Sequence, residues 1–84
     1  MLKKQIQTTA APGAIGPYSQ AVRSGSFIFY SGQIPIDPSS GTLVEGGIEV
    51  QTRQVMANMR AMLHASCCDF SDVIKTTIYL TDLA

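Results

Sequence analysis

Tryptophan is absent from this 84-residue chain, and charge is scarce: lysine plus arginine and aspartate plus glutamate number six each, so the formal net charge is zero. No basic stripe forms. That disfavours a nucleic-acid surface, which works by neutralising many phosphates. No apolar run approaches the length of a membrane span or a signal-peptide core, and the basic start Met1-Leu2-Lys3-Lys4 is followed at once by polar residues. The only cysteines, Cys67 and Cys68, are adjacent. Adjacency excludes the spacing of a zinc knuckle or a thioredoxin-type pair, and no disulfide framework is possible with so few. The pair reads as reduced thiols filling space near a helix end, and hence as a cytoplasmic chain. No metal set or cofactor motif accompanies it, so no cofactor is expected.

What is present is apolar: 45% of the residues. Eighty-four residues make one domain, 1–84, that buries a modest core and often needs a partner. An apolar surplus in so small a unit suggests surface reserved for an interface.

Lys3 to Thr8 alternates weakly and predicts a short strand. Thr9 to Ala14, with Pro12 and Gly13, predicts a loop. Ser19 to Arg23 and Phe27 to Ser31 predict a hairpin, turning at Ser24-Gly25-Ser26, since the second run is β-branched and aromatic. The breakers Pro35, Asp37-Pro38 and Ser39-Ser40-Gly41 predict a surface loop, closed by Gly46-Gly47. A helix is expected from about Ile48 to Ser66, with Ile48, Val55, Met59, Met62 and Thr52 on one face, widened by Val50, Met56 and Leu63. Glu49 and Arg53 are spaced to pair on the exposed side. After a turn at Asp69 to Asp72, Val73 to Leu80 is the plainest strand of the chain; Ile74, Thr76, Ile78 and Leu80 are expected to face the helix. The order strand, hairpin, helix, strand implies an α+β unit with the helix on one sheet face and a right-handed crossover.

Two segments stand out for chemistry: Gly16-Pro17-Tyr18-Ser19-Gln20 and Ser31-Gly32-Gln33, read as one wall of a small-molecule site. Pro17 fixes an extended or turning chain where Tyr18 begins. The Tyr18 phenol, with an ordinary pKa of about 10, would donate a hydrogen bond at neutral pH rather than act as a base; it could equally cap a loop against the sheet. Gly32 lets a ligand approach the backbone closely. His64 is the only histidine, and its place near the helix end suits a favourable contact with the dipole better than a general base. No serine or cysteine has an evident base partner, so a covalent triad is unsupported.

The run Ala14-Ile15-Gly16-Pro17-Tyr18-Ser19-Gln20-Ala21, then Ser31-Gly32-Gln33-Ile34-Pro35, Gln51-Thr52-Arg53-Gln54 and Val73-Ile74-Lys75-Thr76-Thr77, closely resembles the Rid family, also called YjgF or RidA proteins. The resemblance spans essentially the whole chain in the family's order. It implies a chorismate-mutase-like α+β subunit, assembled as a homotrimer with ligand sites between subunits. The activity implied is hydrolysis of reactive enamines and imines, such as 2-iminobutanoate and 2-iminopropanoate, to 2-oxo acids and ammonia. Tyr18 and Gly32 match residues that line the family's site, and Ser31 is a neighbour in that wall; the expected substrate-binding residues are therefore Tyr18, Ser31 and Gly32. The family's chain continues with a second helix and further strands, carrying a carboxylate-gripping arginine in a Pro-Ala-Arg motif and a late glutamate that positions water. Neither occurs here, and Arg23, Arg53 and Arg60 do not match the arginine's position. The resemblance thus implies a chain shortened on its C-terminal side, with an incomplete site and no catalytic residue to nominate. The alternatives are a non-catalytic trimeric module binding small carboxylates and, against the charge balance, a translation-inhibiting ribonuclease.

Overall fold

The aromatic and β-branched run 27–30 is the natural centre of a sheet edge, and the sheet forms around it. The computed structural model describes residues 3–13 and 19–80. Strand β1 (Lys3–Ile6), β2 (Ala21–Ser24) and β3 (Phe27–Tyr30) make an antiparallel sheet in the order β1-β2-β3. Gly25, at φ 62°, turns the β2–β3 hairpin where a side chain would be strained. The register sets Ile6, Ala21 and Tyr30 side by side, with Lys4, Arg23 and Ile28 in the next row on the same face.

That face meets helix α1 (Ile48–Ala65). Ile6, Ala11, Ala21 and Met62 form the core, with Ile28, Tyr30 and Ala61 packed against it. The opposite face carries Val22, Phe27 and Phe29, and both phenylalanines stand more than half exposed. Between β3 and α1 the expected loop contains a small ribbon, β4 (Ile36–Asp37) paired with β5 (Thr42–Leu43). Asp37 closes it by accepting from the backbone N–H and hydroxyl of Ser39, which holds its carboxyl below the usual range.

Helix α1 begins and ends as expected, but its buried stripe differs. Buried are Asn58, Met62 and Leu63, whereas Ile48, Val50 and Met56 lie exposed. The stripe runs through Gln51, Gln54, Val55, Asn58 and Met62, about a sixth of a turn from the expected one. Hydrophobic periodicity cannot detect a polar residue that is buried because it is hydrogen-bonded. The helix ends in a Schellman motif: the Cys68 N–H donates to Leu63 O and the Cys67 N–H to His64 O, with Cys67 left-handed at φ 61°. The Glu49–Arg53 pair forms as expected, at 2.8 Å on the exposed side.

One expectation fails. After a single 3-10 turn (Phe70–Asp72), capped reciprocally by Asp69 and Asp72, residues 73–80 run without a ladder partner among the described residues. Ile74, Ile78 and Leu80 are 83%, 74% and 50% exposed, so the face expected to meet the helix stays open among the described residues. Alternation gives a strand two faces but supplies no neighbour for its backbone groups. With no final strand, the expected crossover is also missing among the described residues.

Candidate functional site

The wall segment 31–33 leaves the end of β3 and is fixed by backbone and neutral side chains. The Ser31 N–H donates to Gln20 O at 3.0 Å, and the Ser31 hydroxyl donates to Ser19 O. Gln33 is half-buried, and its amide donates to Ser31 O at 3.2 Å. These bonds bring residues 19–20 and 31–33 together, as the sequence reading required. Tyr18 lies outside the described residues.

Gly32 is exposed, its backbone has no positive φ, and a Cβ added there would meet nothing within 4 Å. Neither local strain nor packing among the described residues calls for glycine at this position. Open space directly before the main chain is what a ligand approaching the backbone would use.

Two buried amides secure the wall: the sequence placed Gln20 within the wall segment without a role of its own, and gave Asn58 none. The Gln20 side chain, 6% exposed, donates to Thr8 O and Pro12 O at 3.0 and 2.8 Å and accepts from the Thr8 N–H at 2.8 Å. It folds the 8–12 loop back onto β2. Asn58, 1% exposed, donates from Nδ2 to Ile34 O at 3.1 Å and Ile36 O at 3.0 Å, while its Oδ1 accepts from Gln54 Nε2 at 3.0 Å. The available signal for Asn58 was an amide four residues before Met62 on the helix's inner side.

A second polar cluster joins sheet to helix end. Arg23 Nη2 donates to Ser66 O at 3.2 Å, and Tyr30 OH lies 2.6 Å from Ser66 Oγ. Ser66 Oγ sits 2.9–3.1 Å from the carbonyls of Leu63 and Met62. Its single hydrogen serves those carbonyls, so Tyr30 is the donor to Ser66. Burial raises the Tyr30 pKa above its ordinary value. These groups cap the helix and leave no buried side-chain polar atom without a partner among the described residues.

A concavity of about 760 Å³ lies elsewhere, along α1. Met56, Arg60, His64, Thr8 and Phe70 line it, with alanines along its floor, and it contains none of Ser31, Gly32 or Gln33. It is a shallow apolar groove with no buried polar group among its lining residues, so the wall at Gly32 is the better candidate. Among the described residues, no cluster of histidine, cysteine or acidic side chains could hold a metal ion. Nor is any helix of those residues long and apolar enough to cross a membrane.

An antiparallel sheet with one helix across one face, one bare apolar face and an open glycine wall defines an α+β unit. The sequence profile of the Endoribonuclease L-PSP family matches residues 8–84. The chain is 51% identical over 83 residues to a human protein named 2-iminobutanoate/2-iminopropanoate deaminase, covering 99% of this chain and 61% of that one. Among solved structures, a Rid-family protein of Yersinia pestis superposes with a TM-score of 0.79 at 49% identity, over 82% of this chain and 55% of that one. Escherichia coli TdcF with bound serine gives 0.79 at 42% identity, over 84% and 55%. The chain belongs to this family, the Rid (YjgF/RidA) family, and its fold is the Rid-type α+β fold. It spans less than two thirds of the length of the human relative.

Proposed function

We propose that this chain supplies one wall of a site that hydrolyses 2-iminobutanoate- and 2-iminopropanoate-type imines to 2-oxo acids and ammonia. The observation that carries the proposal is the open backbone at Gly32, hung beside residues 19–20 in a chain about half identical to a named deaminase. In this reaction water adds to the imine carbon, its proton reaches the nitrogen, and the carbon–nitrogen bond of the resulting carbinolamine breaks to release ammonia. The chemistry asks for a held carboxylate, a placed water and a proton route. Backbone groups beside Gly32 would orient the substrate, Ser31 would hold the wall, and the Tyr18 phenol would donate to the carboxylate or the water. The single domain 1–84 would act as a homotrimer in the cytoplasm, its bare sheet face turned inward and its site closed by a neighbouring subunit.

The test is ammonia release from freshly generated 2-iminobutanoate, with semicarbazide competing for the imine. Turnover above the uncatalysed rate is expected; a folded, assembled protein that gives none removes the proposal. The described wall offers only backbone, a hydroxyl and an amide, and TdcF is described with bound serine. That favours, as a second reading, a module that binds small carboxylates without turnover. Calorimetry with 2-oxobutanoate separates the two, since binding without ammonia release supports the module. A ribonuclease reading rests on the family's name alone and sits poorly with zero net charge.

A further inference from the structure

We infer that Asn58 is a positioning residue for the Gly32 wall: it sets the path of residues 31–36 and thereby the affinity of the site. The inference rests on the reading of Gly32 as a ligand wall. Segment 31–35 belongs to no strand, so no ladder fixes it. Its first residue is tied to the chain just before β2, by the Ser31 N–H to Gln20 O and the Ser31 hydroxyl to Ser19 O. Its far end is tied to α1 through the two Asn58 donors, which hold Ile34 O and Ile36 O together. Gly32 and Gln33 lie between these two attachments.

Asn58 has the chemistry for this task and little freedom to do anything else. Both amide hydrogens are spent on the segment, and Gln54 fixes which way the amide faces by donating to its oxygen. At the far end of the segment the other bonds are the Ile36 N–H to Ile34 O and the Val44 N–H to Pro35 O, both internal to the loop and its ribbon. Neither connects the loop to the body of the protein. An apolar residue at 58 would pack on the helix as well as an amide does but would leave two carbonyls unpaired and the segment free to shift. A displacement of about 1 Å at a site wall is enough to change binding or rate by large factors.

The test uses Asn58→Asp, which keeps the shape but turns both donors into acceptors facing carbonyls, and the milder Asn58→Ser, which retains one donor should the first variant not fold. Ile6→Val, a core change that removes none of the bonds holding the segment, controls for general loosening. KM for 2-iminobutanoate and Kd for 2-oxobutanoate are expected to rise about tenfold or more in the Asn58 variants, with kcat within about threefold of the parent. Amide exchange at Ile36 and Val44 is expected to accelerate in these variants and not in Ile6→Val. If the parent turns over imine and the Asn58 variants keep its KM and Kd, the inference is overturned. If the parent neither binds 2-oxobutanoate nor releases ammonia, the deaminase proposal falls and exchange alone decides. Acceleration confined to the Asn58 variants then supports the anchor, and unchanged protection overturns it.

Discussion

At Tyr30 a half-buried phenol donates to Ser66, and desolvation raises its pKa above the ordinary value. A group whose pKa is raised on folding gives stability that is complete below the unfolded value and is lost as pH climbs toward the folded one. The protein is therefore expected to lose stability above about pH 10, and Tyr30→Phe to flatten that alkaline limb at the cost of the hydrogen bond. Urea midpoints taken from pH 8 to 11 would show it; parallel curves for parent and variant would contradict it. Two neighbouring glycines make a sharper pair. Gly46 has φ 131°, and a Cβ there would come within 2.9 Å of Val50 Cγ2. Gly47 caps α1 in extended backbone with open space around it and no side-chain bond. Gly46→Ala should destabilise by more than about 1 kcal/mol, whereas Gly47→Asp or Gly47→Ser should stabilise by roughly 0.5–1 kcal/mol through capping and a stiffer unfolded chain. Thermal melts read both, and equal shifts in the two variants would refute the assignment.

Helix α1 carries its stability on the inner side. Met62→Ala, at a position 1% exposed, should cost about 2–5 kcal/mol, while breaking the Glu49–Arg53 pair should cost no more than about 0.5 kcal/mol because both side chains are nearly four-fifths exposed. Denaturant titration of Met62→Ala and Glu49→Ala checks the contrast. The limits of α1 and the β2–β3 hairpin were legible from the sequence, since breakers and β-branched runs act locally. The helix's inner face was half legible: Val55, Met59 and Met62 were read from periodicity, but Asn58 was not, because its burial depends on carbonyls 22 and 24 residues away. At the site, the proximity of residues 19–20 to 31–33 follows from a short hairpin. The Gln20 and Asn58 anchors needed the fold. Segment 73–80 shows the opposite failure: its pattern is that of a strand, and pairing is not a property of one segment.

For the molecule as a whole, the decisive surface is the sheet face opposite α1. Phe27 and Phe29 are 56% and 66% exposed there, on strands whose other side is filled. Adjacent exposed aromatics on an otherwise low-charge chain favour self-association. Sedimentation velocity is expected to show a trimer, and Phe27→Ser with Phe29→Thr to shift it toward monomer; a parent that sediments as a monomer at tens of micromolar would refute the assembly proposed above.

The left-handed turn at Cys67 has a further use. It costs about 1 kcal/mol relative to glycine, so Cys67→Gly should be the more stable protein. Yet the turn also swings an exposed thiol outward while Cys68 stays half-buried with its sulfur on Ser66 O. The two sulfurs are thus chemically unequal, and a maleimide dye at limiting dose will mark Cys67 first. Such a label sits between the finished helix and the 73–80 stretch, which has no ladder partner among the described residues. Its emission would report, in real time, the moment that stretch finds a strand to lie against.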